Sequence, residues 1–385
     1  MRKLAIITTH PIQYYAPVFR LLSERKQIDI KVFYTLGQTI GEKYDHGFKQ
    51  QIDWDIPLLD GYAYEAVRNI STKPGSHHTK GIINPDLIKQ IKQWQADTVL
   101  VFGWAYESHL QAIRYFKNKI PVYFRGDSTL LDKQNPIKTL LRKLRLRWLY
   151  QHVDHAFYVG TNNKAYFKYC GLRDDQLSFA PHAIDNDRFG QDRDAEVGQL
   201  RKNLGIGEND LLILFAGKFE AKKDPMLLLD VFLAMNKPDI HLLFVGSGIL
   251  EIELLNKAAK YKSIHFMPFQ NQSYIPVVYQ ACDLFCLPSE GPGETWGLAV
   301  NEAMACGKAV LVSDKCGCAV DLVTPDNGKT FAAGNKSELT LSLEMLTRSK
   351  EKLAGLGRAS KKLIAPWNFE HIAAAIENKL IHETK

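Results

Sequence analysis

The stretch that decides the expected fold is Leu287-Pro-Ser-Glu-Gly-Pro-Gly-Glu-Thr-Trp-Gly-Leu-Ala-Val-Asn-Glu-Ala-Met-Ala-Cys-Gly307. It starts at the end of a short apolar run, passes through a loop rich in glycine and proline, and continues as a helix that Gly307 closes. A strand, a loop and a helix in this order form one unit of a parallel α/β sheet. The loop contains Glu294, and Glu302 follows eight positions later, within the helix.

Short apolar runs and amphipathic helices alternate in two series along most of the chain. The first series predicts strands at residues 3–8, 29–34, 98–102, 122–125, 155–159 and 177–179, and the second at 211–216, 241–245, 264–267, 284–287 and 309–312. Such short apolar strands are typically covered by helices on both faces. We therefore predict an α/β protein with two Rossmann-like, doubly wound parallel sheets facing a cleft, where ligands bind at the carboxyl ends of the strands.

The length of 385 residues also favours two domains, because it exceeds what one ordinary core contains. We place an N-terminal domain at residues 1–190 and a linker at 191–207, where apolar residues are few. The C-terminal domain follows at 208–365. The last segment, 366–385, has a helical pattern and is assigned to neither domain.

Composition and charge exclude several classes of protein. Hydrophobic residues make up 45% and charged residues 24% of the chain, as in ordinary globular proteins. No apolar run approaches the length of a membrane span, and the N-terminal run that ends at Thr8 is too short for a secretory signal. We expect a cytoplasmic protein. Its net charge of +7 suits an anionic substrate or an acidic membrane face rather than nucleic acid.

The six cysteines are scattered and lack the spacing of zinc ligands, so we expect reduced thiols and no metal site.

The loop of the opening stretch suits a diphosphate. The helix that follows offers free N–H groups and the positive end of its dipole. Gly291, Gly293 and Gly297 allow a ligand to approach the main chain closely. A carboxylate in the helix suits a ribose diol, and one in the loop suits sugar hydroxyls. Solvated glutamates with a capping role are the alternative for this stretch taken alone.

Two further turns follow predicted strands of the second series. After residues 211–216, Gly217 permits a turn, and Lys218 and Lys223 place two positive charges where the phosphates of a leaving nucleotide would be neutralised. A solvated lysine-rich loop is the alternative. The second turn, Phe244-Val-Gly-Ser-Gly248, is a tight connection from a strand to a helix.

In this order, the three stretches resemble the retaining glycosyltransferases of glycosyltransferase family 4, which have the GT-B fold. The resemblance covers residues 211–317 and extends to Pro181-His-Ala-Ile-Asp185. It implies that Glu302 holds the ribose, that Glu294 contacts the donor sugar, and that Lys218 and Lys223 replace an Arg–Lys pair on the diphosphate. A lysine in the first place keeps the charge but loses the planar fork of arginine. We place the other donor contacts at Gly217, Gly246, Ser247, Phe269, Thr295, Trp296, Gly297 and Leu298.

The first half of the chain contains the candidate acceptor residues. The loop His10-Pro-Ile-Gln-Tyr-Tyr-Ala-Pro17 resembles the opening loop of a branch that makes surface polysaccharides, with His10, Gln13 and Tyr14 toward the acceptor. After residues 122–125, many relatives have a histidine where this chain has Arg125, with Asp127 nearby. Either these two residues take over its catalytic role, or Arg125 is a structural arginine at a strand end.

The resemblance implies a retaining, metal-independent glycosyltransferase with no cofactor, for which a nucleoside-diphosphate sugar is the co-substrate. The acceptor would be a glycan or a lipid-linked sugar in cell-surface polysaccharide synthesis. A sugar-nucleotide 2-epimerase and an inactive scaffold that binds nucleotide sugars are the alternatives.

Residues 138–150 form a basic amphipathic helix in the sequence pattern. Such a helix suits peripheral association with the anionic inner face of the cytoplasmic membrane. An ordinary domain helix with a charged face is the alternative.

Overall fold

The structure is a computed structural model that describes residues 1–37, 43–45, 50–132 and 136–382. The chain divides into two compact units. Unit 1 comprises Met1–Lys43, Ile56–His182 and Phe369–Lys385, and unit 2 comprises Tyr44–Asp55 and Ala183–Asn368. Each unit is built on a parallel sheet, so the predicted α/β architecture with two doubly wound sheets is confirmed.

The helices and strands are numbered in chain order. As far as residue 179 they are β1 (Lys3–Thr8), α1 (Ala16–Arg25), β2 (Asp29–Tyr34), β3 (Lys43–Asp45), β4 (Gln50–Ile52), β5 (Ala63–Ala66), α2 (Leu87–Gln93), β6 (Thr98–Phe102), α3 (Glu107–Phe116), β7 (Val122–Arg125), α4 (Pro136–Tyr150), β8 (His155–Tyr158), α5 (Thr161–Tyr169) and β9 (Leu177–Phe179). β3 and β4 form a separate two-stranded pair.

The elements that follow residue 185 have these bounds: α6 (Asn186–Gly190), α7 (Asp194–Asn203), β10 (Leu211–Ala216), α8 (Pro225–Met235), β11 (Ile240–Val245), α9 (Glu251–Ala258), β12 (Ile264–Met267), α10 (Ile275–Ala281), β13 (Leu284–Leu287), α11 (Leu298–Ala305), β14 (Ala309–Ser313), α12 (Ala319–Leu322), β15 (Gly328–Phe331), α13 (Lys336–Leu346), α14 (Lys350–Ile364) and α15 (Phe369–Ile381).

The sheet of unit 1 has seven parallel strands in the order β5-β2-β1-β6-β7-β8-β9. In its centre, Ile6 of β1 lies opposite Val32 of β2 and Leu100 of β6. The alternate residues Ala5 and Ile7 join a core formed with buried side chains of α2, α3, α4 and α5. β6 is buried along its whole length, as expected for a strand covered on both faces.

The sheet of unit 2 has six parallel strands in the order β12-β11-β10-β13-β14-β15. Strands β10, β11, β13 and β14 are buried along their whole lengths. Following the chain, β11 and β12 are added on one side of β10, and β13, β14 and β15 are then added on the other side. The loops after β10 and β13 therefore flank the point of reversal, where doubly wound sheets bind ligands. In unit 1, the loops after β1 and β6 hold the same position.

The structure corrects the expected boundary and linker. The chain passes from unit 1 to unit 2 between His182 and Ala183 rather than at residue 190. Most of the predicted linker 191–207 is helix α7, in which Leu200 is buried. Arg201 donates to the carbonyl oxygen of Ala281 at 2.8 Å, so this polar segment is anchored to unit 2. One buried leucine and one arginine that binds main-chain oxygen atoms do not produce a sequence pattern that would predict this helix.

The final segment belongs to unit 1. Helix α15 buries Ile372, Ala373, Ile376 and Leu380 and packs against α1 and β9. Arg25 of α1 lies 3.2 Å from Glu377 of α15, which adds an ion pair to the apolar contact. Residues 383–385 lie outside the described residues.

Four strands in the described part of the chain were missed by the sequence analysis: the separate pair β3 and β4, and the edge strands β5 and β15. β5 is an edge strand with mostly exposed side chains, and β15 consists of Gly-Lys-Thr-Phe at the other sheet's edge. Neither contains the apolar run that identified the central strands.

Candidate functional site

Two loops of unit 2 come together where the strand order reverses. β10 pairs with β13, so the loop 217–224 lies beside the loop 288–297. The amide N–H groups of Glu290 and Gly291 both donate to the carbonyl oxygen of Lys222, at 2.9 and 3.2 Å. The topology therefore joins the two sequence stretches that were selected for donor binding.

An ion pair links the same two loops. Nζ of Lys223 lies 2.5 Å from Oε2 of Glu294, and both side chains are largely buried. Ser289 donates from its hydroxyl to the same carboxylate oxygen at 3.0 Å. The carbonyl oxygen of Ser289 accepts a hydrogen bond from the hydroxyl of Ser313. A carboxylate held by both a cation and a hydroxyl has a fixed orientation, because charge-assisted hydrogen bonds are strong and directional.

Gly317 supports the loop that contains Glu294. Its N–H donates to the carbonyl oxygen of Glu294 at 3.1 Å, and the N–H of Cys318 donates to that of Trp296 at 3.0 Å. A Cβ atom at position 317 would lie 1.7 Å from the carbonyl oxygen of Thr295. Only glycine permits this approach of two main chains.

Helix α11 begins directly after the loop and contains the second glutamate. Gly297 occupies its N-cap with a φ of 96°, a left-handed conformation that favours glycine. Tyr279 of α10 donates from its hydroxyl to Oε2 of Glu302 at 2.8 Å, and both groups are buried. Glu302 lies in the second turn of the helix. The structure thus places the predicted pair, Glu294 and Glu302, on either side of one helix N-terminus.

The turns after β10 and β11 pack main chain against main chain. Gly217 donates to the carbonyl oxygen of Val245, and Phe219 to that of Ser247, both at 2.9 Å. A Cβ atom on Gly246 would lie 2.1 Å from the carbonyl oxygen of Gly217. Lys218 is half-buried and lies in the chain between Gly217 and Phe219, the two residues that donate these hydrogen bonds.

Phe269 has a partner that the sequence analysis missed. Its ring centroid lies 6.1 Å from that of Trp54. Asp55 accepts a hydrogen bond from the N–H of Ser273 at 3.1 Å, which ties the two segments together within unit 2. No local pattern relates a tryptophan at position 54 to a turn more than two hundred residues later.

The other predicted donor residues differ in exposure. Thr295 and Leu298 are half-buried. Trp296 is buried, and its indole N–H donates to Oδ1 of Asn301 at 2.9 Å. Its ring centroid lies 5.4 Å from that of Trp367. A donor contact from Trp296 would therefore come from its main chain.

The predicted acceptor residues share one loop of unit 1. His10, Gln13 and Tyr14 follow β1 and are half-buried. Nδ1 of His10 lies 2.8 Å from Oγ1 of Thr9. The ring of Tyr15, next in the chain, has its centroid 4.9 Å from that of Phe102 at the end of β6. The loop therefore lies at the reversal point of the first sheet.

Arg125 has a structural role in unit 1. Its guanidinium is fully buried and donates to the carbonyl oxygens of Ala180 and Pro181, at 2.7 and 2.8 Å. Burial lowers the pKa of this guanidinium. These contacts agree with the strand-end arginine of the sequence analysis, and a catalytic role for Arg125 stays a prediction.

Asp127 lies close to a residue that received no role from the sequence. Its Oδ2 is 3.6 Å from Nε2 of the buried His182. Burial lowers the pKa of His182, and the Asp127 carboxylate opposes this shift. Burial also raises the pKa of Tyr15 to about 12, with a further contribution from Asp127. The only sequence signal for His182 was its place in Pro181-His-Ala-Ile-Asp185.

The six cysteines are free thiols. Burial raises the pKa of Cys316 to about 12, which disfavours the reactive thiolate. Over residues 1–37, 43–45, 50–132 and 136–382, no group of three or more His, Cys, Asp and Glu side chains is arranged to hold a metal ion. No helix in the described part of the chain combines the length and the apolar character needed to cross a membrane.

The sequence of unit 2 is similar to known proteins. Residues 197–363 match the family described as glycosyl transferases group 1. The D-inositol 3-phosphate glycosyltransferase of Gordonia bronchialis is 26% identical over 190 residues, which cover 46% of this chain and 41% of that protein. The enzyme of the same name from Rhodococcus erythropolis is 27% identical over 193 residues, covering 47% of this chain and 43% of that protein. The chain thus spans less than half the length of the curated relatives it matches.

Solved structures match over the whole chain. Anabaena Alr3699/HepE in complex with UDP and glucose has a TM-score of 0.71 and 18% identity, covering 99% of this chain and all of that one. Sucrose-phosphate synthase from Thermosynechococcus elongatus has a TM-score of 0.75 and 16% identity, with full coverage of both chains. The GT-B fold implied by the sequence resemblance is therefore confirmed, and residues 197–363 are similar in sequence to the glycosyl transferases of group 1.

Proposed function

We propose that this protein is a retaining glycosyltransferase that moves a sugar from a nucleoside-diphosphate sugar to a glycan or a lipid-linked acceptor. The observation that carries the proposal is the ion pair between Lys223 and Glu294 at the reversal point of the second sheet. It joins a cationic loop suited to a diphosphate with a carboxylate suited to sugar hydroxyls. The match of residues 197–363 to glycosyl transferases of group 1 supports the same assignment.

The donor would be bound by charge and by helix α11. Lys218 and Lys223 would neutralise the diphosphate, and the N-terminus of α11 after Gly297 adds free N–H groups and the positive end of its dipole. Glu302, fixed by Tyr279, would accept hydrogen bonds from the ribose hydroxyls. Phe269 and Trp54 present aromatic faces near the end of β12, which suits the base.

Catalysis would rest on positioning and on stabilisation of the leaving diphosphate. The acceptor oxygen would bond to the anomeric carbon on the face from which the diphosphate leaves, so the configuration is retained. The bond between that carbon and the diphosphate oxygen breaks, and the hydroxyl proton passes to the departing diphosphate. Lys223 would balance the charge that develops on the leaving phosphate, while Glu294 holds the sugar through its hydroxyls. We propose no cofactor and no metal ion, because the two lysines supply the cationic charge.

Unit 1 would bind the acceptor. His10, Gln13 and Tyr14 belong to the loop after β1, and Asp127 with His182 forms a polar cluster at the carboxyl ends of the same sheet. Asp127 is the better candidate for contact with a reacting hydroxyl, because its side chain is 43% exposed whereas His182 is buried. The proposed setting is cell-surface polysaccharide synthesis in the cytoplasm, with peripheral association at the cytoplasmic membrane.

The first experiment is a thermal-shift titration with UDP, GDP and ADP, followed by their sugar conjugates. UDP is tested first because the Anabaena structure of the same fold contains it. A rise in melting temperature with one nucleotide that Glu302→Ala and Lys223→Ala both reduce would support the donor site. No rise with any nucleotide would contradict it.

The second experiment separates transfer from epimerisation. Incubation with the preferred nucleotide sugar and candidate acceptors should give a glycosylated acceptor and free nucleoside diphosphate. Conversion of the donor to its C2 epimer without acceptor would contradict the transferase assignment in favour of an epimerase. Binding of the donor with neither product would indicate an inactive scaffold.

A further inference from the structure

Helix α4 of unit 1 has an apolar face that its own unit does not cover. Leu140, Leu141, Leu144 and Trp148 are 58%, 63%, 57% and 47% exposed, and we call them the α4 stripe. The opposite side of the helix is anchored normally, since Leu146, Leu149 and Tyr150 are buried in the core of unit 1. α4 is thus a well-packed helix with a second, exposed apolar face. Such a contiguous exposed patch marks an interaction surface more often than a scattered leucine does.

The geometry of the helix makes this face continuous. At about 100° per residue, Leu140, Leu144 and Trp148 span an arc of about 80°, and Leu141 lies at its edge. Arg145 and Arg147 are both exposed, and the same spacing places them on the two sides of the arc. The stripe is therefore bordered by cations along both edges.

The charged residues of α4 itself all have one sign. Residues 136–150 contain five lysines and arginines and no acidic residue. Arg114 of α3 adds a further guanidinium 5.4 Å from the ring of Trp148. The exposed apolar residues of α9 in unit 2 provide a contrast, because Ile252 stands between Glu251 and Glu253. Of these two exposed apolar faces, the α4 stripe is the one whose helix has positive charges and no acidic residue.

We propose that the α4 stripe is a docking surface for an anionic lipid bilayer, with the helix lying in the plane of the membrane interface. Leucine and tryptophan side chains enter the boundary between headgroups and acyl chains, where tryptophan is favoured. Arg145 and Arg147 remain at the level of the anionic headgroups. The biological role of this docking rests on the proposed function, because a lipid-linked acceptor would be located at the membrane surface. Its physical basis, the stripe and its cations, is independent of the donor site.

Co-sedimentation of the full chain with vesicles tests the proposal directly. The chain should pellet with vesicles of phosphatidylcholine and phosphatidylglycerol, remain in solution with phosphatidylcholine alone, and be released by salt. Leu144→Glu and the double variant Arg145→Glu, Arg147→Glu should each lower binding by about tenfold or more. The matched controls are Leu341→Glu, an exposed leucine on α13, and Lys352→Glu with Arg358→Glu, exposed cations on α14. These should bind like the unaltered chain.

Fluorescence gives a second readout at a single residue. The tryptophan emission maximum should shift to shorter wavelength when anionic vesicles are added, and Trp148→Phe should abolish this shift. Absence of vesicle binding by the unaltered chain, or equal binding by Leu144→Glu, would overturn the proposal. So would a dimer without lipid that Leu144→Glu converts to a monomer, because the stripe would then bind a second copy. The thermal shift with UDP is measured on the same variants, so a failure of the donor site is recognised separately.

Discussion

The hydroxyl of Tyr279 donates a 2.8 Å hydrogen bond to Oε2 of Glu302 inside unit 2. The two residues lie on different helices, α10 and α11, and both are buried. Because the bond joins a neutral donor to a carboxylate, it fixes the orientation of Glu302 more strongly than a bond between neutral groups would. Tyr279 is thus a positioning residue for the carboxylate proposed to hold the ribose.

Tyr279→Phe removes this hydroxyl and keeps the ring. We expect the KM for the donor to rise by about tenfold, equivalent to about 1.4 kcal/mol, with a smaller change in kcat. The diagnostic measurement is the affinity for the 2′-deoxynucleotide, which lacks one ribose hydroxyl. If Tyr279 acts through Glu302, the substitution should weaken binding of the ribonucleotide more than that of the deoxynucleotide. Tyr261→Phe, at an exposed tyrosine, is the control; equal losses for both nucleotides would contradict this role.

Lys223→Ala should lower kcat by about a hundredfold or more, because a fixed positive charge beside the leaving phosphate is lost. Glu294→Ala should have a comparable effect through the donor sugar. Lys222→Ala is the matched control, because this neighbouring side chain is partly exposed and lies 3.3 Å from Glu220 in a surface ion pair. Rates are compared at saturating donor after circular dichroism has shown that each variant is folded. Full activity of both site variants would mean that the donor site lies elsewhere.

Removal of divalent metal should leave the reaction unchanged. In the proposed mechanism, Lys218 and Lys223 provide the charge that a metal ion supplies in other transferases, so turnover with excess EDTA should equal turnover in untreated buffer. The control repeats the assay with added Mg²⁺ or Mn²⁺. Loss of turnover in EDTA, followed by recovery with metal, would refute the metal-free mechanism.

The stability of unit 1 should fall in weak acid. His109 is fully buried, with Nδ1 donating to the carbonyl oxygen of Gly103 at 2.8 Å and Nε2 at 2.9 Å from Oγ1 of Thr35. Burial lowers its pKa to about 4, whereas an unfolded histidine titrates near 6.5. The unfolded state therefore binds the proton first. As the pH falls from about 6.5 to about 4, His109 should lower the free energy of unfolding by up to about 3 kcal/mol.

His109→Asn tests this assignment. Asparagine retains a donor for the Gly103 carbonyl oxygen but does not titrate, so the variant should be less stable at neutral pH and less sensitive to acid. The apparent melting temperature is measured between about pH 4.5 and pH 7 for both proteins. Parallel curves would show that His109 does not contribute to the acid sensitivity.

The sequence predicted the central strands better than the connections between them. β1, β10 and β13 have the predicted bounds, because each is an apolar run that helices cover on both faces. α7 was taken for a linker, since Arg201 stabilises it through main-chain oxygens that no sequence pattern displays. Periodicity reports burial along an element, and it carries no information about a polar side chain that binds a distant main chain.

The candidate site shows the same limit. Glu294, Glu302, Lys218 and Lys223 were selected by spacing within two short stretches, and the order of strands in unit 2 brings those stretches together. Trp54, Tyr279 and His182 were missed because their partners, Phe269, Glu302 and Asp127, lie 215, 23 and 55 residues away. Long-range pairs of this kind follow from topology, which a single sequence does not give directly.

The position of helix α15 in the chain delays the completion of unit 1 during translation. It is translated after all of unit 2, yet it covers α1 and β9 of unit 1 with Ile372, Ala373, Ile376 and Leu380. On the ribosome, unit 2 can close its sheet while unit 1 still exposes the apolar surface that α15 will occupy. We therefore expect nascent unit 1 to bind chaperones until α15 has emerged from the ribosome. A ribosome that stalls before residue 369 would release an incomplete first unit beside a finished second one.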